Sequence, residues 1–229
     1  MSRVASGELS SAYGTVVWDG VGTLRLRYGA AAPDPVRPRL GERSLPVEAL
    51  RAVEVSGTGI RFVLRDGADP LQSVTQPLID LYDFPEADPE LAEAIAGDIR
   101  RTLVRRDVPA TRATAWLLAP PVAPDRISGR DASLAVASGH LTFTYARGAS
   151  RKKKVLGAPR AVPLGDILEV EWSPHQGRIG GRGFLRISTA STPEHRPKPK
   201  HDPAAMVTHR GTDVDALFFA ARLLTRVRP

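Results

Sequence analysis

The sequence predicts a mainly β protein, of α+β class, made of two tandem copies of one domain. Three observations carry that prediction: the chain matches itself when shifted by 117 positions, apolar residues alternate with a period of two through most of each copy, and each copy ends in one amphipathic helical stretch. The shift lays VWDGVGTLRLRY over LAVASGHLTFTY and RSLPVEALRAVEV over RAVPLGDILEVEW, without a gap from Val17 to Val55. Gly22 then meets Gly139, Tyr28 meets Tyr145, Arg43 meets Arg160, Pro46 meets Pro163 and Glu54 meets Glu171.

Each copy opens with a hairpin. Leu24, Leu26 and Tyr28 alternate with Arg25 and Arg27, and Leu141, Phe143 and Tyr145 alternate with Thr142 and Thr144, so each is a strand with one buried face. A glycine-bearing turn (Gly20 and Gly22, or Gly139) joins it to a short strand ahead of it. Further strands are predicted over 52–55 and 60–64, and over 168–172 and 184–188. The first closing helix has Asp88 as cap, Pro89 at its first position, a stripe of Leu91, Ile95, Ile99 and Leu103, and arginines at its carboxyl end. The second has Thr212 and Asp215 in a capping-box pattern ahead of Val214, Leu217, Phe218, Ala221 and Leu224. Between them TRATAWLLAPPVAPD reads as a stiff, proline-rich linker, apolar enough at Trp116, Leu117 and Leu118 to pack on a domain. The expected division is 1–109, linker 110–125, and 126–229.

The first twenty residues lack a signal-peptide core, no stretch is long and apolar enough to span a membrane, and there are no cysteines, which excludes disulfides, thiolate metal sites and cysteine nucleophiles. A cytoplasmic protein is the expectation. Its formal charge of +7 is uneven. Residues 1–109 hold thirteen arginines against sixteen carboxylates, net −3, whereas residues 110–229 hold nineteen basic side chains, all five lysines among them, against nine acidic ones, net +10. Such asymmetry suits a polyanion on the basic half or attraction between the halves. Abundant Ala, Arg, Gly and Pro with few Lys suggest a GC-rich bacterial genome.

A strand ending in Trp18-Asp19-Gly20, a Leu-x-Leu-x-Tyr strand, Leu-Pro-Val-x-x-Leu-x-x-Val-Glu-Val, a Gly-Ile-Arg-Phe strand and a closing helix together resemble one repeat of domain of unknown function 4429. That resemblance covers both copies. It implies an actinobacterial protein with tandem pleckstrin-homology-like domains, each an antiparallel sheet or partial barrel closed by a C-terminal helix, and it implies no catalytic residues. The second copy departs from it where Val136 and Ala137 replace the Asp-Gly turn and where HQGRIGGRG is inserted. The resemblance also implies that many relatives carry a short carboxyl-terminal oligomerisation module, and none is expected from the residues after the second helix.

Candidate binding residues gather in three basic loops of the second copy. Arg151, Lys152, Lys153 and Lys154 form a run in SRKKKVLGAPR, read as a loop because Gly148, Gly157 and Pro159 oppose a basic helix, and read as dispensable to the fold because the first copy has GAAAPDPVRPRLGE there. Arg178 and Arg182 lie in HQGRIGGRG, which otherwise reads as a flexible hairpin tip. Lys198 and Lys200 lie in TPEHRPKPKHDP, expected to be mobile. Together they are the candidate anion surface. His195 and His201 lack a third ligand at metal spacing, so neither metal nor cofactor is expected. No nucleophile elbow, zinc-protease motif or dinucleotide fingerprint occurs, and no catalytic residue is nominated. Glu54 and Glu171 recur on outward faces, where an arginine partner is expected.

Three functional classes follow. A non-catalytic binding or adaptor module presenting loops to a protein or an anionic ligand is favoured. A basic repeat on nucleic acid or an anionic membrane comes second, because aromatics are only 6% of residues and none interleaves with the cations. An unrecognised enzyme comes third. A protein, anionic lipid or polyanion partner and self-association are all compatible with the sequence.

Overall fold

A computed structural model describes residues 7–57, 59–75, 77–155, 160–176 and 181–228. Two compact units result, Met1–Ala119 and Pro120–Pro229, and in each of them four antiparallel strands are followed by three more and a helix. Among the described residues, none of the four sheets closes into a barrel.

In the first unit β1 (Gly7–Ser11), β2 (Gly14–Trp18), β3 (Thr23–Tyr28) and β4 (Glu42–Pro46) pair in sequence order. A short helix α1 (Val36–Leu40) lies between β3 and β4. The second sheet is β5 (Leu50–Ser56), β6 (Gly59–Leu64) and β7 (Asp83–Pro85), with α2 (Pro70–Thr75) between β6 and β7 and α3 (Pro89–Arg105) last. The alternation puts Leu24, Leu26 and Tyr28 inside while Arg25 stays exposed. A turn of 3-10 helix after Pro46 turns the chain from the first sheet to the second, and Val47 N–H donates to the Gly22 carbonyl at 2.8 Å.

The second unit repeats this plan. β8 (Arg126–Ser128), β9 (Ala132–Ala137), β10 (His140–Tyr145) and β11 (Arg160–Pro163) form one sheet. β12 (Ile167–Ser173), β13 (Phe184–Thr189) and β14 (Ala205–Val207) form the other, followed by α5 (Asp213–Val227). Its corner, after Pro163, is held by Leu164 N–H on the Gly139 carbonyl at 2.9 Å, the same two positions under the 117-residue shift. Two of the residues shared between copies, Gly22 with Gly139 and Pro46 with Pro163, therefore stand at the sheet-to-sheet corner. Where the Asp-Gly turn is lost, Ser138 and Gly139 both take positive φ, 49° and 76°, the geometry that joins two strands tightly.

Four expectations are corrected. The stripe on α3 is displaced: Ile95 and Ile99 are buried with Ala92, Ala96 and Thr102, but Leu91 is 37% exposed and Leu103 only half-buried. A strict four-residue spacing precesses around a helix of about 3.6 residues per turn, so its ends leave the core. Asp88 does cap α3, accepting from Leu91 N–H at 2.9 Å, whereas Thr212 makes no capping bond to α5 and turns its hydroxyl to the His209 carbonyl. The run SRKKK is helical: Arg151–Val155 form the single turn α4, with residues 156–159 outside the described part. The segment TPEHRPKPKHDP is tied down, since buried Asp202 pairs with Arg186 at 2.7 Å and Arg196 binds Glu169 and Glu171.

The closing helices are fixed by indoles. Trp18 Nε1–H donates to buried Asp98 of α3 at 2.7 Å, and Trp172 Nε1–H donates to the Asp213 carbonyl at 2.8 Å. The segment expected as a linker is bonded on both sides: Ala113, Leu117 and Leu118 donate their N–H groups to Asp66 and Ala68 in the first unit, and Arg222 binds the Ala123 carbonyl in the second. No helix among the described residues is long and apolar enough to cross a membrane.

Candidate functional site

The site grows from one buried charge. Lys153 has no exposed side-chain surface; its Nζ donates to Asp131 Oδ2 at 2.7 Å and to the Ala205 carbonyl at 2.6 Å. Asp131 Oδ1 accepts from Val207 N–H at 2.9 Å, so the pair joins α4, the start of β9 and strand β14. Burial pulls the Lys153 pKa below its ordinary value against the raising effect of Asp131. The first unit has a counterpart. Arg37, on α1, is buried, pairs with Asp34, donates to the Asp80 carbonyl and lies 3.5 Å from that of Asp83. Asp83 and Ala205 both open the last strand of their sheets, paired respectively with Arg61 and Arg186. Each copy thus spends one cation of this connection on its last strand. Lys153 is accordingly removed from the candidate surface, and the view that the fold does without this run is corrected.

Its neighbours behave differently. Arg151, Lys152, Lys198, Lys200 and Arg182 are exposed, and no ion pair is made by any of them among the described residues. Lys154 is exposed and turned to the Arg147 carbonyl, and Arg178 lies outside the described residues. Partial loss of solvent, then Lys200, Lys152, Lys153 and Lys198 in turn, hold the His201 imidazole below the ordinary histidine value.

A cleft of about 410 Å³ opens beside this cluster, lined by Arg130, Asp131, Gly148, Ser150, Arg182 and Lys200. Two glycines place its arginines. A Cβ on Gly129 would stand 2.4 Å from the Val207 carbonyl oxygen, so only glycine lets the β8–β9 turn lie on β14, where Arg130 N–H donates to that carbonyl at 2.7 Å. A Cβ on Gly183 would stand 2.3 Å from Asp213 Oδ1, and here the carboxylate of Asp213 receives His175 Nδ1 at 2.8 Å and the Thr208 hydroxyl. That knot anchors the base of the loop carrying Arg182. Sequence reading found Arg182 and Lys200 but missed Arg130 and Ser150; the available signal was Gly129-Arg130-Asp131, a glycine and a charge pair in a tight β turn.

The remaining polar clusters are internally balanced. Arg186 is shared by Glu171 and Asp202, Glu54 lies 3.7 Å from Arg61, and in the first unit Arg43 and Tyr82 both bond buried Asp69. His175, Asp213 and Thr208 do not form a nucleophilic relay, because the hydroxyl donates to the carboxylate and not to the imidazole. Among the described residues, no group of three His, Asp or Glu side chains is placed to hold a metal.

One family model, described as Domain of unknown function (DUF4429), matches residues 18–116 and again residues 137–224. The chain belongs to this family. The first DUF4429 segment runs from Trp18, which anchors α3, to Trp116; the second contains Ser150, Arg182 and Lys200 of the cleft, while Arg130 precedes it. No curated protein matches the chain.

Proposed function

We propose that this DUF4429 protein is a non-catalytic binding or adaptor module that acts in the cytoplasm and uses its second copy to hold an anionic ligand. The observation that carries this reading is the cleft itself, where Arg130, Arg182 and Lys200 converge without ion-pair partners among the described residues while the one carboxylate in the wall, Asp131, is already neutralised by Lys153. Cations gathered with no structural partner are free to meet an external charge. Four strands, a corner, three strands and a closing helix in each unit support the pleckstrin-homology-like expectation, with 1–109 and 126–229 as its domains and 110–125 as the connection. None of the described cleft residues is aromatic, which favours a compact anion or anionic surface over base stacking on nucleic acid.

Retention of the full chain on heparin or on anionic vesicles tests the reading. Wild type binds at low salt and is released as salt rises, because the attraction is screened and counterions are released. The combined Lys152→Glu, Lys198→Glu, Lys200→Glu variant is expected to lose retention with an unchanged melting temperature. Equal retention of the two proteins, or no retention of wild type at low salt, overturns it.

A further inference from the structure

We infer that the cleft lined by Arg130, Ser150, Arg182 and Lys200 is a receptor for a single phosphate group, the monoester end of a small molecule or headgroup. This rests on the anion-binding reading above and narrows it to one chemical class. The four residues come from four separate connections: Arg130 from the β8–β9 turn, Ser150 from the β10–β11 connection, Arg182 from the β12–β13 loop and Lys200 from the β13–β14 segment. Donors that approach from several directions suit a tetrahedral anion, whose oxygens point outward all round, better than a planar carboxylate. Both arginines offer a forked set of N–H donors, and the lysine adds a compact charge.

Two further features favour a dianion. With Asp131 bonded to Lys153 Nζ and to Val207 N–H, its carboxylate is already satisfied and the three lining cations stay uncompensated. Ser150 lines the same cleft, and its Oγ is buried with no hydrogen-bond partner among the described residues, a donor left unspent where nearly every buried polar atom has one. Turned into the cleft by a change of rotamer, the hydroxyl would find its acceptor in a phosphate oxygen. The volume, about 410 Å³, exceeds one phosphate and leaves room for part of the group that bears it.

Titration calorimetry of the full chain with inorganic phosphate, with phenyl phosphate and with acetate tests the inference, alongside flotation with vesicles carrying phosphatidic acid or, as a diester control, phosphatidylglycerol. Saturable one-to-one binding of the phosphates but not of acetate is expected. Arg182→Ala with Lys200→Ala weakens it by roughly tenfold or more, and Ser150→Ala by a few-fold, as lost charge-assisted hydrogen bonds imply. Arg126→Ala, an exposed residue of β8 outside the cleft lining, changes it by less than about twofold. Flotation with phosphatidic acid alone assigns the phosphate to a lipid, whereas binding of phenyl phosphate without flotation assigns it to a soluble ester, and either supports the receptor. Absence of saturable phosphate binding, or an Arg126→Ala loss as large as that of the double variant, overturns it. Heparin retention that persists without phosphate binding refutes this inference and spares the broader reading; loss of both refutes both.

Discussion

At the scale of single residues, Lys153 stands where the first copy has Val36, and both side chains are fully buried. Placing an ammonium where a valine suffices is costly unless every donor finds an acceptor, and Asp131 and the Ala205 carbonyl supply two. A charge run read from sequence is taken as solvated on both sides, so this burial was not legible from composition; the 117-residue shift onto Val36 was the one signal of it. Tyr28 shows the converse. Its ring stacks on Phe84 with centroids 5.9 Å apart, yet its buried hydroxyl has no partner among the described residues. Burial raises the Tyr28 pKa well above the ordinary 10.0. The unfolded chain therefore releases this proton near pH 10 while the folded chain keeps it, and stability is lost as pH rises through that value. Tyr28→Phe is expected to leave stability at pH 7 unchanged or raise it by about 1 kcal/mol, and to make the alkaline fall in melting temperature shallower. A clear loss at pH 7 would mean that the hydroxyl is bonded.

At the scale of elements, strands were legible because a period of two survives any choice of face, and the helices were legible in existence but not in orientation. The closing helix α3 exposes Leu91 although the residue belongs to the apparent stripe, since Trp18 and Asp98 set which side meets the sheets. Ile95→Ala should cost about 2 to 5 kcal/mol and Leu91→Ala less than about 1, measured by denaturant titration. Equal losses would return Leu91 to the buried stripe. The absent cap at Thr212 has a local reason: its hydroxyl already serves His209. Basic loops were legible as basic, but the cleft was not, because its four donors come from connections far apart in the chain and only the folded sheet ends bring them together.

At the scale of the whole molecule, two units that each bury their own core should survive separation. Cutting between Ala119 and Pro120 should give two fragments with β-type circular dichroism and cooperative melting. If both were unfolded, the units would have to be treated as one core. Under the proposed function, the charge contrast between the halves, net −3 against +10, would be a division of labour, with the anion held by the second copy. The most direct measurement is a nuclear magnetic resonance titration of the ¹⁵N-labelled full chain with a short heparin oligosaccharide. Shifts concentrated on the amides of Arg130, Ser150 to Lys152, Gly181 to Gly183 and Lys198 to His201 are predicted, with the first copy unmoved; shifts centred on the first copy, or spread evenly over both, would contradict a basic binding face on the second.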